Sequence, residues 1–215
     1  MINLCFHGIG TPGRELEPDE DQYWIDPDRF EELLEVAGEM PSVRITFDDG
    51  NASDISIALP ALVERGLDAS FFVIADRLGK AGSLSVEEVG ALADAGMTIG
   101  THGMRHRPWR SLDEEAIREE LGDARTAIET ASGAPVRHAA CPFGAYDRRA
   151  LRALRKHGFT RVYTVDRRPA HPDAWLQSRY VIQRSDTPET LRRFGRDPLP
   201  RALVLAAKTT AKRWR

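Results

Sequence analysis

Short apolar runs alternate with longer helical stretches along the whole chain, and that alternation restricts the fold more than any other feature. Ile2–Phe6, Val43–Phe47, Ala69–Ile74, Met97–Thr101, Val136–Cys141, Phe159–Val165 and Arg179–Gln183 read as strands. Helices are expected over Phe30–Ala37, Ser53–Arg65, from Ser85 to Gly96, from Ser111 to Ala131 and over Asp147–His157. Ser85-Val86-Glu87-Glu88 has the form of a capping box. Pro60 predicts a kink inside its helix. Strand–helix alternation argues for parallel pairing in an α/β fold. Runs such as Phe71-Phe72-Val73-Ile74 suit strands covered on both faces. Periodicity alone leaves a closed barrel and an open sheet equally allowed.

Polar clusters begin where four of these strands end. His7-Gly8 follows the first strand, Asp48-Asp49-Gly50 the second, His102-Gly103-Met104-Arg105-His106 the fourth, and Pro142-Phe143-Gly144 the fifth. In parallel α/β folds the carboxyl ends of strands form the functional face, because the βα loops gather there. Two adjacent carboxylates repel each other unless a cation or a proton offsets them. Two imidazoles four residues apart, with one carboxylate, suit zinc or another borderline divalent ion. Successive side chains of an extended strand diverge, so Asp48 and Asp49 can do different work. One binds the metal and the other accepts a proton from water.

Composition narrows the classes. The chain has 215 residues, 41% apolar and 29% charged, as in an ordinary globular protein with a sizeable core. A net charge of −3 gives no pull toward nucleic acid. Two cysteines, Cys5 and Cys141, provide neither a disulfide framework nor a Cys-rich zinc site. No run approaches the roughly 20 apolar residues of a membrane span. Ile2–Phe6 is too short for a signal sequence, so the expected compartment is the cytoplasm.

The sequence Thr46-Phe47-Asp48-Asp49-Gly50 followed by His102-x-x-x-His106 resembles the polysaccharide deacetylases, carbohydrate esterase family 4, which share the NodB homology domain. The resemblance implies an irregular (β/α)7-type barrel and metal-dependent removal of acetyl groups from N-acetylated sugars. Carried over by position, it implies Asp48 as general base and Asp49, His102 and His106 as ligands of one divalent ion, Zn2+ being expected. Pro142, Phe143 and Gly144 match the family's third motif, and the Phe143 N–H would help hold the oxyanion.

Three departures stand out. Gly103 replaces a Ser or Thr that braces the loop, Ala140 replaces an Arg that orients the base, and no late Leu-x-Ile-His segment supplies the acid. Arg179 is a candidate substitute for the missing Arg. His7 is a candidate acid, because Leu4-Cys5-Phe6-His7-Gly8 is similar to the circularly permuted branch that includes the poly-N-acetylglucosamine deacetylases. A catalytically degenerate carbohydrate-binding relative, or a deacylase of another amide or O-acetyl ester, is the alternative.

The remaining expectations concern the periphery. Tyr23, Trp24 and Trp109 could stack on sugar rings, although ordinary packing explains each as well. The acidic loop Gly10–Asp28 reads as a solvated surface segment. A catalytic domain over 1–195 is expected, then a basic helix or tail over 196–215 carrying Lys208, Lys212, Arg213 and Arg215. That tail could weakly touch an anionic membrane surface.

Overall fold

The structure, a computed structural model, describes residues 1–194. Its strands are β1 (Ile2–Phe6), β2 (Val43–Asp49), β3 (Ala69–Val73), β4 (Thr98–Thr101), β5 (His138–Ala140), β6 (Arg161–Thr164), β7 (Leu176–Ser178) and β8 (Tyr180–Val181). All eight form one sheet in the order β7-β6-β5-β4-β3-β2-β1-β8, every pair parallel. The two edge strands are neighbours in sequence. Leu176–Ser178 pairs with β6, Arg179 breaks the run, and Tyr180–Val181 pairs with β1. One broken segment therefore spans the gap and nearly closes a barrel. Seven expected strands become eight because the last divides in two, and it starts before Arg179.

The helices are α1 (Pro27–Glu39), α2 (Leu59–Glu64), α3 (Val86–Asp94), α4 (Glu114–Ile117), α5 (Ala124–Ser132), α6 (Arg148–Lys156) and α7 (Pro188–Arg193). Local chemistry sets their starts. The Asp26 carboxylate accepts the Asp28 N–H, Ser85 and Glu88 complete the capping box of α3, and Asp147 caps α6. The helix starting near Ser111 is instead capped by Asp113 and interrupted by a π-turn, Arg118–Asp123, between α4 and α5. A second π-turn, Asp54–Ala58, precedes α2 and places Pro60 in that helix's first turn, where its missing N–H breaks no bond. A single helix kinked at Pro60 is therefore replaced by a π-turn running into α2.

Alternate strand residues face opposite sides, and two separate cores result. Leu4, Phe6, Ile45, Phe47, Phe71 and Val73 pack outward against the helices. Phe72, Ala140 and Tyr163 form a second cluster inside the barrel. Gly100 leaves space for that plug, since a Cβ there would lie 2.5 Å from the Phe72 ring. The expected basic segment 196–215 lies outside the described residues. No helix among the described residues is long and apolar enough to cross a membrane.

Candidate active site

β2 delivers Asp48 and Asp49 at its carboxyl end, both 2% exposed. Asp49 adopts φ 77°, a left-handed conformation costly for a residue with a Cβ. Asp48 faces the barrel interior. Its Oδ1 and Oδ2 accept Arg179 Nη1 and Nη2 at 2.6 and 2.7 Å. Burial pushes the Asp48 carboxyl upward, but the Arg179 charge and hydrogen bonds, with His102 nearby, hold it well below the usual carboxylate range. Arg179 is fully buried, and Asp48 keeps it firmly charged against the burial cost. Arg179, the expected substitute for the arginine missing at Ala140, thus lies in direct contact with Asp48.

Asp49 faces the histidines. Its Oδ1 lies 3.6 Å from His102 Nε2 and 3.5 Å from His106 Nε2, and this buried oxygen has no hydrogen-bond partner among the described residues. Its Oδ2 faces Arg14 Nη2 at 3.9 Å and Arg77 Nη1 at 4.0 Å. The other ring nitrogen of each histidine is engaged. His102 Nδ1 lies 2.9 Å from the Ala140 carbonyl oxygen, and His106 Nδ1 lies 2.9 and 3.1 Å from the two Glu17 carboxylate oxygens. Since those partners accept, each Nδ1 carries the proton and each Nε2 keeps its lone pair. Burial lowers the His102 pKa to about 4, so its ring is neutral near pH 7.

Ligand atoms about 2.0–2.1 Å from a tetrahedral zinc ion are separated by about 3.4 Å. The Asp49 Oδ1–Nε2 separations fit that geometry. An orphaned carboxylate oxygen and two imidazole lone pairs converge, so Asp49, His102 and His106 fit a divalent metal.

A cavity of about 300 Å³ opens onto this group, lined by His7, Asp48, His102, His106, Tyr23 and Phe143 among others. His7 follows β1; its ring stacks on Tyr23 with centroids 5.1 Å apart, and its Nδ1 is buried without a hydrogen-bond partner among the described residues. In the turn Pro142–Gly144, Gly144 N–H donates to the Cys141 carbonyl at 2.9 Å. Phe143 takes φ 56° and is 57% exposed, with its ring centroid 4.4 Å from that of His106. All four polar clusters at strand ends therefore meet in one place.

Several expectations need correction. Trp109 is fully buried and its Nε1–H points to Glu120, while Trp24 packs against Gly8, where a Cβ would lie 2.2 Å from the ring. Neither can stack on a sugar; Tyr23 alone of the three lines the cavity. The loop Gly10–Asp28 is not merely solvated. Glu17 reaches His106 and pairs with Arg77, and Glu20 pairs with Arg14.

The brace that Gly103 cannot supply comes from Glu120, a fully buried carboxylate in the π-turn Arg118–Asp123. It accepts Met104 N–H at 3.0 Å, Arg105 N–H at 3.3 Å and Arg107 Nε–H at 2.9 Å. Gly103 has φ 86°, and a Cβ there would lie 2.3 Å from Glu120 Oε2. Carboxylate and glycine exclude the usual hydroxyl together. Glu120 sits among exposed Glu and Arg residues in sequence, so no local signal distinguished it.

The polysaccharide deacetylase family profile matches residues 35–162, and the chain belongs to that family. YxkH of Bacillus subtilis (strain 168), which carries the name polysaccharide deacetylase, is 27% identical over 142 residues, covering 66% of this chain and 50% of its own length. The chain thus spans about half the length of this curated relative. The fold is similar to that of the Streptococcus pyogenes deacetylase PplD, solved in complex with acetate, with TM-score 0.76, 19% identity and coverage of 92% of this chain and 98% of that one. It is also similar to IcaB from Ammonifex degensii, with TM-score 0.71, 22% identity and coverage of 91% and 97%. His7, Glu17 and Arg179 lie outside the stretch matched by the family profile.

Proposed function

We propose that this protein is a metal-dependent hydrolase that removes the acetyl group from an N-acetylated sugar. The observation that carries this reading is the convergence of Asp49 Oδ1 with His102 Nε2 and His106 Nε2, beside an Asp48 clamped by Arg179. A zinc ion held by Asp49, His102 and His106 would polarise the acetamide carbonyl and acidify the attacking water.

The protein's own groups do the rest. Asp48 is held ionised and accepts the proton as water attacks the carbonyl carbon. The Phe143 N–H, at the cavity rim, serves as donor to the oxygen of the tetrahedral intermediate. His7, protonated at the start of the step, donates to the amide nitrogen as the C–N bond breaks. Acetate and the free amine leave. A cavity of about 300 Å³ with the Tyr23 and Phe143 rings at its edge suits one acetylated ring inserted from solvent.

The Arg179–Asp48 ion pair speaks against the alternative of a degenerate binding protein, because it offers a counterpart to the absent third-motif arginine. The experiment pairs metal content with acetate release from acetylated amino sugars. Wild-type protein should hold one zinc per chain, and Asp49→Ala should lose it. Asp48→Asn and His7→Ala should keep the metal, with turnover falling about 10²–10⁴-fold for removal of an acid–base group. A wild-type protein that takes up no zinc would overturn the hydrolase reading. Equal metal loss in Asp48→Asn would overturn the division of labour between the two aspartates.

A further inference from the structure

His106 and His102 are held from behind in different ways. His102 leans on a backbone carbonyl, fixed by the barrel itself. His106 depends on a side chain from far away in sequence. Its Nδ1 meets both carboxylate oxygens of Glu17, 89 residues earlier in the chain, at 2.9 and 3.1 Å. His106 itself takes φ 53°, an uncommon conformation for a residue with a Cβ.

Glu17 is fixed in turn. It pairs with Arg77, whose Nη1 also faces Asp49 Oδ2 at 4.0 Å. In the same loop, Glu20 accepts the Glu17 N–H at 2.8 Å and binds Arg14, which reaches Asn51 at 3.0 Å. The acidic loop is thereby tied to the residues just after β2. A carboxylate behind a ligating imidazole fixes its tautomer, orients its ring and raises its basicity.

We infer that Glu17 is a positioning residue for the metal centre, holding His106 with its proton on Nδ1 and its Nε2 lone pair aimed at the Asp49–His102 focus. The inference rests on the metal-centre reading above and extends it: the N-terminal loop, outside the matched family profile, completes the site. The same carboxylate shields Asp49 from full pairing with Arg77, which leaves the Asp49 charge available to a cation.

The test uses the full chain with zinc as probe and a competing chromophoric chelator as readout. Glu17→Ala should weaken zinc binding about 10–100-fold, the range for loss of such a partner. Glu17→Gln, whose amide oxygen still accepts the Nδ1–H, should stay within about threefold of wild type, a difference under 1 kcal/mol. In ¹⁵N spectra of metal-free protein, His106 should carry its proton on Nδ1 in wild type and Glu17→Gln, and shift toward the Nε2–H form in Glu17→Ala.

Wild-type binding at one zinc per chain, with Glu17→Ala equally tight, overturns the role of Glu17 and leaves the metal centre intact. Equal weakening in Gln and Ala variants, with no tautomer change, also overturns it, because charge alone would then be responsible. Failure of the wild type to bind zinc instead removes the metal-centre reading itself. Unchanged thermal unfolding of the metal-free variants shows that any weakening is local.

Discussion

The two mouths of the barrel are built from the same strands, a few residues apart. β2 places Arg44 at the amino end and Asp48 at the carboxyl end; β5 places His138 near the first and the Ala140 carbonyl behind the second. The amino mouth is a hollow of about 470 Å³ lined by Arg44, His138 and Arg161, with Ser70, Thr98 and Asp68. Burial and the neighbouring Arg161 lower the pKa of Arg44. Burial, Arg161 and Arg44 lower that of His138 to about 4, and its buried Nδ1 has no partner among the described residues. The carboxyl mouth also carries charged groups, yet its opposite charges meet and its groups are held from behind: Asp48 by Arg179, His102 by a carbonyl, His106 by Glu17. Polarity at a strand end is therefore insufficient to make a site. Convergence of complementary groups with fixed orientation is what distinguishes the carboxyl end.

This contrast can be broken from either side. The largest effect should come from Arg179→Met, which leaves a buried Asp48 charge without its partner. Urea unfolding should show a loss of about 3–5 kcal/mol, the cost of stranding one member of a buried pair. A loss under 1 kcal/mol would mean that Asp48 is not held ionised by Arg179.

Acid should act on both mouths. His102 and His138 each have a folded pKa of about 4, against an unfolded value near 6.5. Between those values the unfolded chain binds more protons, so stability of the metal-free protein is full above about pH 6.5 and falls as pH drops toward 4. Each histidine adds at most about 1.4 kcal/mol per pH unit to the slope. His138→Gln should flatten the measured slope by one histidine's share; an unchanged slope would show that His138 is not protected from protonation.

The smallest effect is expected from Arg161→Met at the amino mouth. Removing one of two like charges should leave zinc binding and acetate release unchanged, with stability shifted by no more than about 1 kcal/mol, the range typical of substitutions away from special features. A large loss of activity there would erase the distinction between the mouths.

Much of this was legible in advance, for identifiable reasons. The α/β class followed from alternating apolar runs, and the capping box at Ser85 from four adjacent residues. Asp48, Asp49 and His102 were legible as candidates because they directly follow apolar runs, and His106 because it stands four residues after His102. Strand ends were less certain: the run Val136–Cys141 shortens to His138–Ala140, because pairing depends on neighbouring strands rather than on apolar residues. Trp24 and Trp109 stayed open between packing and sugar stacking because an aromatic residue near a motif in sequence gives no indication of which way its ring points. Glu17 and Glu120 were invisible as site residues because acidic loops and charged helix faces look alike whether solvated or buried.

The sequence by itself determined the parallel α/β class, the local helix starts and the side chains available for metal and acid–base chemistry. Those depend on short-range rules: periodicity, capping and the residues that end each strand. Tertiary structure decided that a segment broken at Arg179 would draw the sheet into a nearly closed barrel. It also decided that Arg179 would meet Asp48, 131 residues away, and that Glu17 would meet His106 across 89. Such pairs arise from closure of the barrel in three dimensions, and no local pattern along the chain encodes which distant charges that closure brings within hydrogen-bonding distance.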